Sequence, residues 1–138
     1  MDFAAQDHPS RGCPAGVVVN MSLGGPFSQA SNDAAEALVD SGAFVAVASG
    51  NDGVDAKDTS PASAGRVCTV GSSNSGDAIS AFSNYGDVVD IYAPGEDITS
   101  TAYGEGDNEV VSVTLTVFPV RPALRMKGKK ILRVTGHM

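Results

Sequence analysis

The chain has 138 residues, of which 42% are hydrophobic, and its formal net charge at pH 7 is −7. This size and composition predict one ordinary domain with a packed core and argue against a disordered chain. No apolar run reaches the roughly 18 residues of a membrane span, and the acidic balance argues against a face that binds nucleic acid.

The first elements predicted along the chain are a strand and a helix. A continuous apolar run predicts a strand over Val17–Met21, of the kind that is covered on both faces. Ser31 and Asn32 are candidate N-caps for a helix over about Asp33–Asp40. Gly42 then stands where a helix-terminating residue is expected.

Three more strands follow, separated by polar loops rich in Ser, Asn and Gly. They are predicted over Phe44–Ala48, Val67–Gly71 and Val88–Tyr92, and Pro94-Gly95 stops the last one. A helix between consecutive strands is typical of parallel pairing. The sequence therefore predicts an α/β fold with a mostly parallel sheet flanked by helices.

The turn after Phe44–Ala48 contains the most informative residues. Ser49-Gly50-Asn51 places an amide side chain at the carboxyl end of a strand, where open α/β sheets bind ligands. An Asn there can donate a hydrogen bond to a developing oxyanion. The turn also has an ordinary explanation, because Asn and Gly tolerate positive φ and favour turns.

Six motifs in this order and spacing resemble the subtilisin-like serine proteases (peptidase S8), most closely the proteinase K branch. The resemblance covers about residues 1–103 and implies part of that family's three-layer α/β fold. The motifs are Val-Val-Asn-Met-Ser-Leu-Gly-Gly at 18–25, Val-Ala-Val-Ala-Ser-Gly-Asn-Asp-Gly at 45–53, Ser-Pro-Ala-Ser at 60–63, Val-Cys-Thr-Val-Gly at 67–71, Phe-Ser-Asn-Tyr-Gly at 82–86 and Asp-Ile-Tyr-Ala-Pro-Gly at 90–95.

The resemblance implies a cleft that binds an extended polypeptide by strand addition. Walls of small residues would accept apolar or aromatic side chains. The glycines of the first wall have an ordinary explanation as a turn. The implied site residues are Ser22, Leu23 and Gly24 on one wall, Ala48, Ser49 and Gly50 on the other, and Asn51 as the oxyanion donor.

A structural calcium ion (Ca²⁺) is implied by the same resemblance. Its ligands would be the main-chain carbonyls of Gly65 and Val67 and the carboxylate of Asp90, oxygen donors of the kind that calcium prefers. Asp90 alone could equally be an ordinary carboxylate at the end of a strand.

The catalytic triad of the family is missing from the sequence. Serine-protease chemistry needs a nucleophile, a base and a carboxylate that orients the base. The family's Asp-Thr/Ser-Gly, His-Gly-Thr-His and Gly-Thr-Ser-Met-Ala motifs do not occur, and neither His8 nor His137 matches the catalytic histidine. We therefore expect the chain to be part of a serine endopeptidase and to be inactive alone. The alternative is a truncated isoform that binds peptides without cleaving them.

The two cysteines are expected to be unpaired. Cys13 and Cys68 match family positions whose disulfide partners lie elsewhere, in regions that this sequence lacks. The alternative is that both are buried, unpaired thiols that act as small apolar residues, and the sequence does not distinguish the two explanations.

Charge divides the chain into two segments. Residues 1–108 hold three basic and fifteen acidic groups, a net of −12, whereas residues 109–138 hold six basic and one acidic, a net of +5. We therefore predict a partial peptidase domain over 1–108 and a non-matching tail over 109–138. Valine codons begin with GT, as introns do, and the segment 113–138 begins with a valine. Residues 113–138 are therefore interpreted as translated non-coding sequence. The alternative is a genuine basic tail with a tendency to form β-strands.

Location is inferred from the resemblance alone. The family is secreted, which implies an extracellular parent enzyme. No basic region followed by an apolar run opens this chain, so we predict that it has no signal peptide. No membrane or nucleic-acid partner is expected.

Overall fold

The computed structural model describes residues 1–7, 12, 16–99, 110–111 and 130–131. Two α-helices and nine short strands are defined in this part of the chain, together with a single 3-10 turn at Ala56–Asp58. The helices are α1 (Asp2–Asp7) and α2 (Gln29–Asp40), and the strands are β1 (Val18–Met21), β2 (Gly25–Pro26), β3 (Phe44–Ala48), β4 (Thr59–Ser60), β5 (Cys68–Ser73), β6 (Ile91–Pro94), β7 (Ile98–Thr99), β8 (Val110–Val111) and β9 (Lys130–Ile131).

A five-stranded sheet organises the described residues. Its strand order is β1-β3-β5-β6-β9, and each neighbouring pair is parallel. Two antiparallel pairs, β2 with β4 and β7 with β8, lie outside it. The prediction of an α/β fold with a mostly parallel sheet is confirmed.

Helix α2 covers the sheet with its apolar side. Leu38 is 1% exposed and packs in one core cluster with Val45 and Val47 of β3 and Met21 of β1. After the helix, Gly42 adopts a φ of 94°, the left-handed conformation that ends helices with little strain in glycine. The role predicted for Gly42 is therefore confirmed.

The start predicted for this helix is wrong. Ser28, rather than Ser31 or Asn32, is the N-cap: its backbone is extended and its side chain accepts a hydrogen bond from the Ser31 amide. The extra first turn is stabilised by a 2.7 Å hydrogen bond from Gln29 Nε2 to Asp33 Oδ1, one helical turn apart. Asn32 lies inside the helix and donates to Ser63 Oγ.

The third and fourth predicted strands are displaced along the chain. Strand β5 extends beyond Gly71 because Ser72 and Ser73 continue to pair with β6 and are almost fully buried. Strand β6 begins later than predicted because a turn comes first, in which the Val89 amide donates to the Gly86 carbonyl.

Strand β1 is not covered on both faces, contrary to the prediction. It is the terminal strand of the described sheet, and Val18 is 49% exposed while its in-register neighbour Phe44 is 42% exposed. Asn20 is exposed on the same strand. The described helices bury only one side of this end of the sheet.

Most of the predicted tail, residues 109–138, lies outside the described residues. Val110–Val111 pairs with Ile98–Thr99, and Lys130–Ile131 pairs with Ile91–Tyr92 of β6. The division of the chain at residue 108 stays a prediction. Within the described part of the chain, no helix has the length and apolar character needed to cross a membrane.

Candidate functional site

Two loops leave the same edge of the sheet side by side. Strands β1 and β3 are parallel neighbours, and Met21 pairs with Val47 in their register. The segments that follow them, Ser22–Pro26 and Ser49–Val54, therefore begin next to one another. This is the carboxyl edge at which parallel sheets place their ligands.

These loops enclose a cleft of about 680 Å³. That volume lies within the usual range of small-ligand sites. All seven residues predicted to bind substrate or stabilise an oxyanion line this one cleft, so the structure brings the predicted set together. The lining residues are Ser22, Leu23, Gly24, Gly25, Pro26, Ala48, Ser49, Gly50, Asn51, Asp52, Val54, Thr59, Ser60 and Ala62.

The first wall is fixed by a short antiparallel pairing. Strand β2 pairs with β4, with Gly25 opposite Ser60. The Ser60 hydroxyl accepts a hydrogen bond from the Ser28 amide at 2.9 Å and donates to the Ser28 carbonyl at 3.2 Å. The wall is therefore tied to the N-cap of α2, while Leu23 remains 55% exposed at the cleft.

The second wall is fixed by buried polar groups. Ser49 is fully buried, and its carbonyl accepts hydrogen bonds from Asn84 Nδ2 at 2.9 Å and from Thr59 Oγ1 at 3.3 Å. Gly50 follows with a φ of 107°, which L-residues with a Cβ rarely adopt. Asn51, next in the chain, is exposed at the cleft.

Several residues of the site were missed by the sequence interpretation. Thr59, Ser60 and Ala62 line the cleft although the Ser-Pro-Ala-Ser motif was given no role in binding. Asn84, in the Phe-Ser-Asn-Tyr-Gly motif, contacts the second wall from behind. Its residue type gave no usable signal, because Asn in turns typically bonds to its own neighbouring backbone, whereas the partners of Asn84 lie thirty or more residues away.

The predicted calcium ligands lie before two neighbouring strands, Gly65 and Val67 before β5 and Asp90 before β6. Asp90 Oδ2 accepts a 2.8 Å hydrogen bond from the Thr69 amide, which holds this carboxylate next to the segment that contains Val67. Val67 is buried, while Gly65 is exposed and its amide donates to Glu36 Oε1. The neighbouring Arg66 side chain pairs with Asp40. Among the described residues there is no group of three His, Cys, Asp or Glu side chains suited to a metal ion.

Cys68 has a free thiol, as predicted. Burial and, to a smaller extent, the nearby Asp90 carboxylate raise the pKa of this thiol to about 11, so it is protonated at neutral pH. Cys13, His8 and His137 lie outside the described residues.

Comparison with known proteins agrees with this geometry. A model of the subtilase family (peptidase S8) matches residues 14–122. The alkaline serine protease ver112 of Corniculantispora psalliotae is 56% identical over 115 residues, which are 83% of this chain and 30% of that protein. Proteinase T of Parengyodontium album is 49% identical over 119 residues, 86% of this chain and 40% of that protein.

The cuticle-degrading protease of Metarhizium anisopliae is 57% identical over 101 residues, which are 73% of this chain and 26% of that protein. The chain thus spans between about a quarter and two fifths of the length of these relatives. Its fold is similar to the crystal structure of a cold-adapted subtilisin-like serine proteinase, with a TM-score of 0.71 and 41% identity over 82% of this chain and 39% of the other. From its sequence, its fold and the cleft at the carboxyl edge of its sheet, the chain belongs to the subtilase family.

Proposed function

We propose that this chain forms the substrate pocket and the oxyanion donor of a subtilisin-like serine endopeptidase, and that these 138 residues do not hydrolyse peptide bonds alone. The observation that supports this most is the convergence of Ser22–Gly24, Ala48–Gly50 and Asn51 on one cleft. An extended polypeptide would bind along the glycine-containing edge and insert one apolar side chain between the small walls.

Asn51 has the chemistry required at the reacting carbonyl. During attack on a peptide bond, negative charge develops on the carbonyl oxygen, and an amide N–H that already faces this oxygen stabilises the charge without reorganising. Removing one such donor costs about 2.7–4 kcal/mol of barrier in a complete enzyme. Asn51 is exposed and lines the cleft in which the substrate would lie.

The proposed lack of activity follows from the missing chemistry. A polarised carbonyl reacts only when a nucleophile and its base are positioned beside it. The chain contains none of the three motifs that supply them in the family. The relatives are proteases by name, which supports peptide hydrolysis as the activity of the enzyme as a whole. An extracellular location is proposed from the family resemblance.

A pair of peptides tests the pocket and Asn51 together. The probes are two forms of an acetylated tetrapeptide that ends in phenylalanine, one with a free C-terminal carboxylate and one with a C-terminal amide. An oxygen of the carboxylate stands in for the oxyanion of the reaction. We expect saturable binding of both and about tenfold tighter binding of the carboxylate, the size expected for a hydrogen bond to a charged group. Asn51→Ala should remove this preference.

The control is Asn74→Ala, which removes an asparagine from the loop after β5 and outside the cleft. It should keep the carboxylate preference, as measured by fluorescence anisotropy or calorimetry. Equal affinity of the unmodified chain for both peptides would contradict the role of Asn51. Release of a chromophore from the corresponding anilide peptide would contradict the proposed inactivity.

A second candidate function is peptide binding by a truncated isoform. The observation that favours it is the presence of both predicted cleft walls in a chain whose sequence lacks the triad motifs. The two candidate functions require different gene products: the isoform requires this chain itself, and the endopeptidase requires a longer protein with the triad motifs. Mass spectrometry that detects peptides from residues 113–138 would support the isoform, whereas transcripts that join Ser112 to Gly-Thr-Ser-Met-Ala would support the endopeptidase.

A structural calcium ion is part of the proposal for the enzyme. Gly65 and Val67 would contribute carbonyl oxygens and Asp90 the carboxylate that is already fixed beside β5, and water would complete the six to eight ligands of calcium. These hard oxygen donors fit the ion chemically. When bound, it would link the loop before β5 to the segment before β6 and would take no part in the reaction.

Calcium is expected to raise the melting temperature of the chain. A ligand that binds only the folded state at a hundred times its dissociation constant stabilises by about 2.7 kcal/mol, which corresponds to several degrees. Asp90→Asn should abolish this increase in differential scanning fluorimetry, while Asp87→Asn, the same charge change three residues away, should retain it. An equal response to calcium in the Asp90 variant would exclude the site.

A further inference from the structure

Asn84 is a fully buried asparagine behind the cleft. Its Oδ1 atom accepts hydrogen bonds from the amides of Asp52 at 3.0 Å and Val54 at 3.2 Å. Its Nδ2 atom donates to the carbonyl of Ser49 at 2.9 Å. One side chain thus bonds to the main chain on both sides of Asn51.

The main chain around Asn84 strengthens this attachment. The Asn84 amide donates to the Gly50 carbonyl at 3.0 Å, and the Tyr85 amide donates to the Val54 carbonyl at 3.0 Å. The Gly53 amide donates to the Phe82 carbonyl at 2.9 Å. The loop that contains Asn51 is therefore paired along its length with the segment from Phe82 to Tyr85.

An asparagine suits this position better than other residues of similar size. Its side chain supplies both a donor to the Ser49 carbonyl and an acceptor for the Asp52 and Val54 amides. An aspartate would lack the donor, and a leucine would leave the two amides without this partner and the Ser49 carbonyl with Thr59 Oγ1 alone. Unpaired polar groups in buried positions are costly, so the position is strongly specified. Glycine at position 50 gives the amide room, because a Cβ there would overlap Asn84 Nδ2.

We infer that Asn84 is a positioning residue that holds the Ser49–Val54 loop so that Asn51 faces the substrate oxygen. This inference rests on the role proposed for Asn51. A donor stabilises developing charge well only when its direction is fixed before the reaction, and groups behind it provide that direction. Asn84 lines no part of the cleft and acts through the loop that it bonds.

The test compares Asn84→Ala with Asn74→Ala, using the carboxylate and amide forms of the same tetrapeptide. Asn74 is a close match because its Oδ1 also accepts two backbone amides, those of Gly76 at 2.9 Å and Ala78 at 3.1 Å, in a loop away from the cleft. The readout is the ratio of the two dissociation constants. A general loosening of the fold weakens both peptides together and leaves this ratio unchanged.

Asn84→Ala should reduce the carboxylate preference from about tenfold to about onefold, while Asn74→Ala retains it. The inference is overturned if Asn84→Ala keeps the ratio of the unmodified chain, or if Asn74→Ala loses it as well. If the unmodified chain itself shows no preference, the role of Asn51 fails first, and the role of Asn84 fails with it.

Amide hydrogen exchange in the unmodified chain tests the same contact if Asn84→Ala does not fold. Asp52 and Val54 are exposed, yet their amides should exchange at least about a hundredfold more slowly than in an unstructured peptide. Exchange at the unprotected rate would show that Asn84 does not hold the loop and would overturn the inference.

Discussion

Gly50→Ala is expected to lower the free energy of unfolding by about 3–5 kcal/mol and to abolish peptide binding. The φ of 107° at this position imposes strain on any residue with a Cβ. The added methyl would also overlap the Asn84 side chain, which is buried and cannot move away without losing its hydrogen bonds. The Ser49–Val54 loop must shift to relieve the overlap, so the second wall of the cleft would move with it.

Urea unfolding followed by circular dichroism measures this loss, and Gly42→Ala separates its two causes. Gly42 has a similar φ of 94°, but a Cβ there meets nothing within 4 Å. The control should therefore show the backbone strain alone, about 1–2 kcal/mol, and should still bind the tetrapeptides. Equal losses in the two variants would mean that the contact with Asn84 contributes nothing.

Leu38→Ala is expected to destabilise the chain by about 2–5 kcal/mol. Leu38 is 1% exposed and is the largest side chain that α2 places against β1 and β3. Its removal leaves a cavity beside Ala35 and Val47, which are both fully buried. The loss is expected as a lower urea midpoint with an unchanged slope.

Leu23→Ala is the matched control, since it deletes the same atoms from a side chain that is 55% exposed. It should change the free energy of unfolding by no more than about 0.5 kcal/mol. A loss at Leu38 as small as the one at Leu23 would show that α2 does not pack on the sheet as described.

The sequence predicts elements well where one local signal dominates. Phe44–Ala48 is confirmed to the residue, because an uninterrupted apolar run is followed at once by a polar turn. The start of α2 is wrong because three polar residues, Ser28, Ser31 and Asn32, compete as caps within five positions. The choice among them depends on the pairing of Ser28 with Ser60, which is distant in sequence.

Site residues could likewise be predicted where the signal is local, and not where it depends on contacts between distant parts of the chain. The motifs around Ser22–Gly24 and Asn51 predict residues that do share one cleft, because both segments follow parallel strands. The part played by Asn84 could not be predicted, since it depends on a contact between positions more than thirty residues apart. Exposure of β1 was missed for a related reason: an apolar run does not reveal which of its faces is covered.

The hydrogen-bonded pairing of β1 with β3 separates the shape of the cleft from the stability of the fold in this chain. The two walls of the cleft leave the sheet as neighbouring strands, about 4.8 Å apart, and backbone bonds fix that starting distance. Substitutions at Leu23 or Val54, which lie in the loops beyond these strands, can therefore change the shape of the cleft without moving the strands beneath it. The shape of the cleft can vary at these positions through side chains alone, while the core formed by Leu38 and Val47 stays as it is.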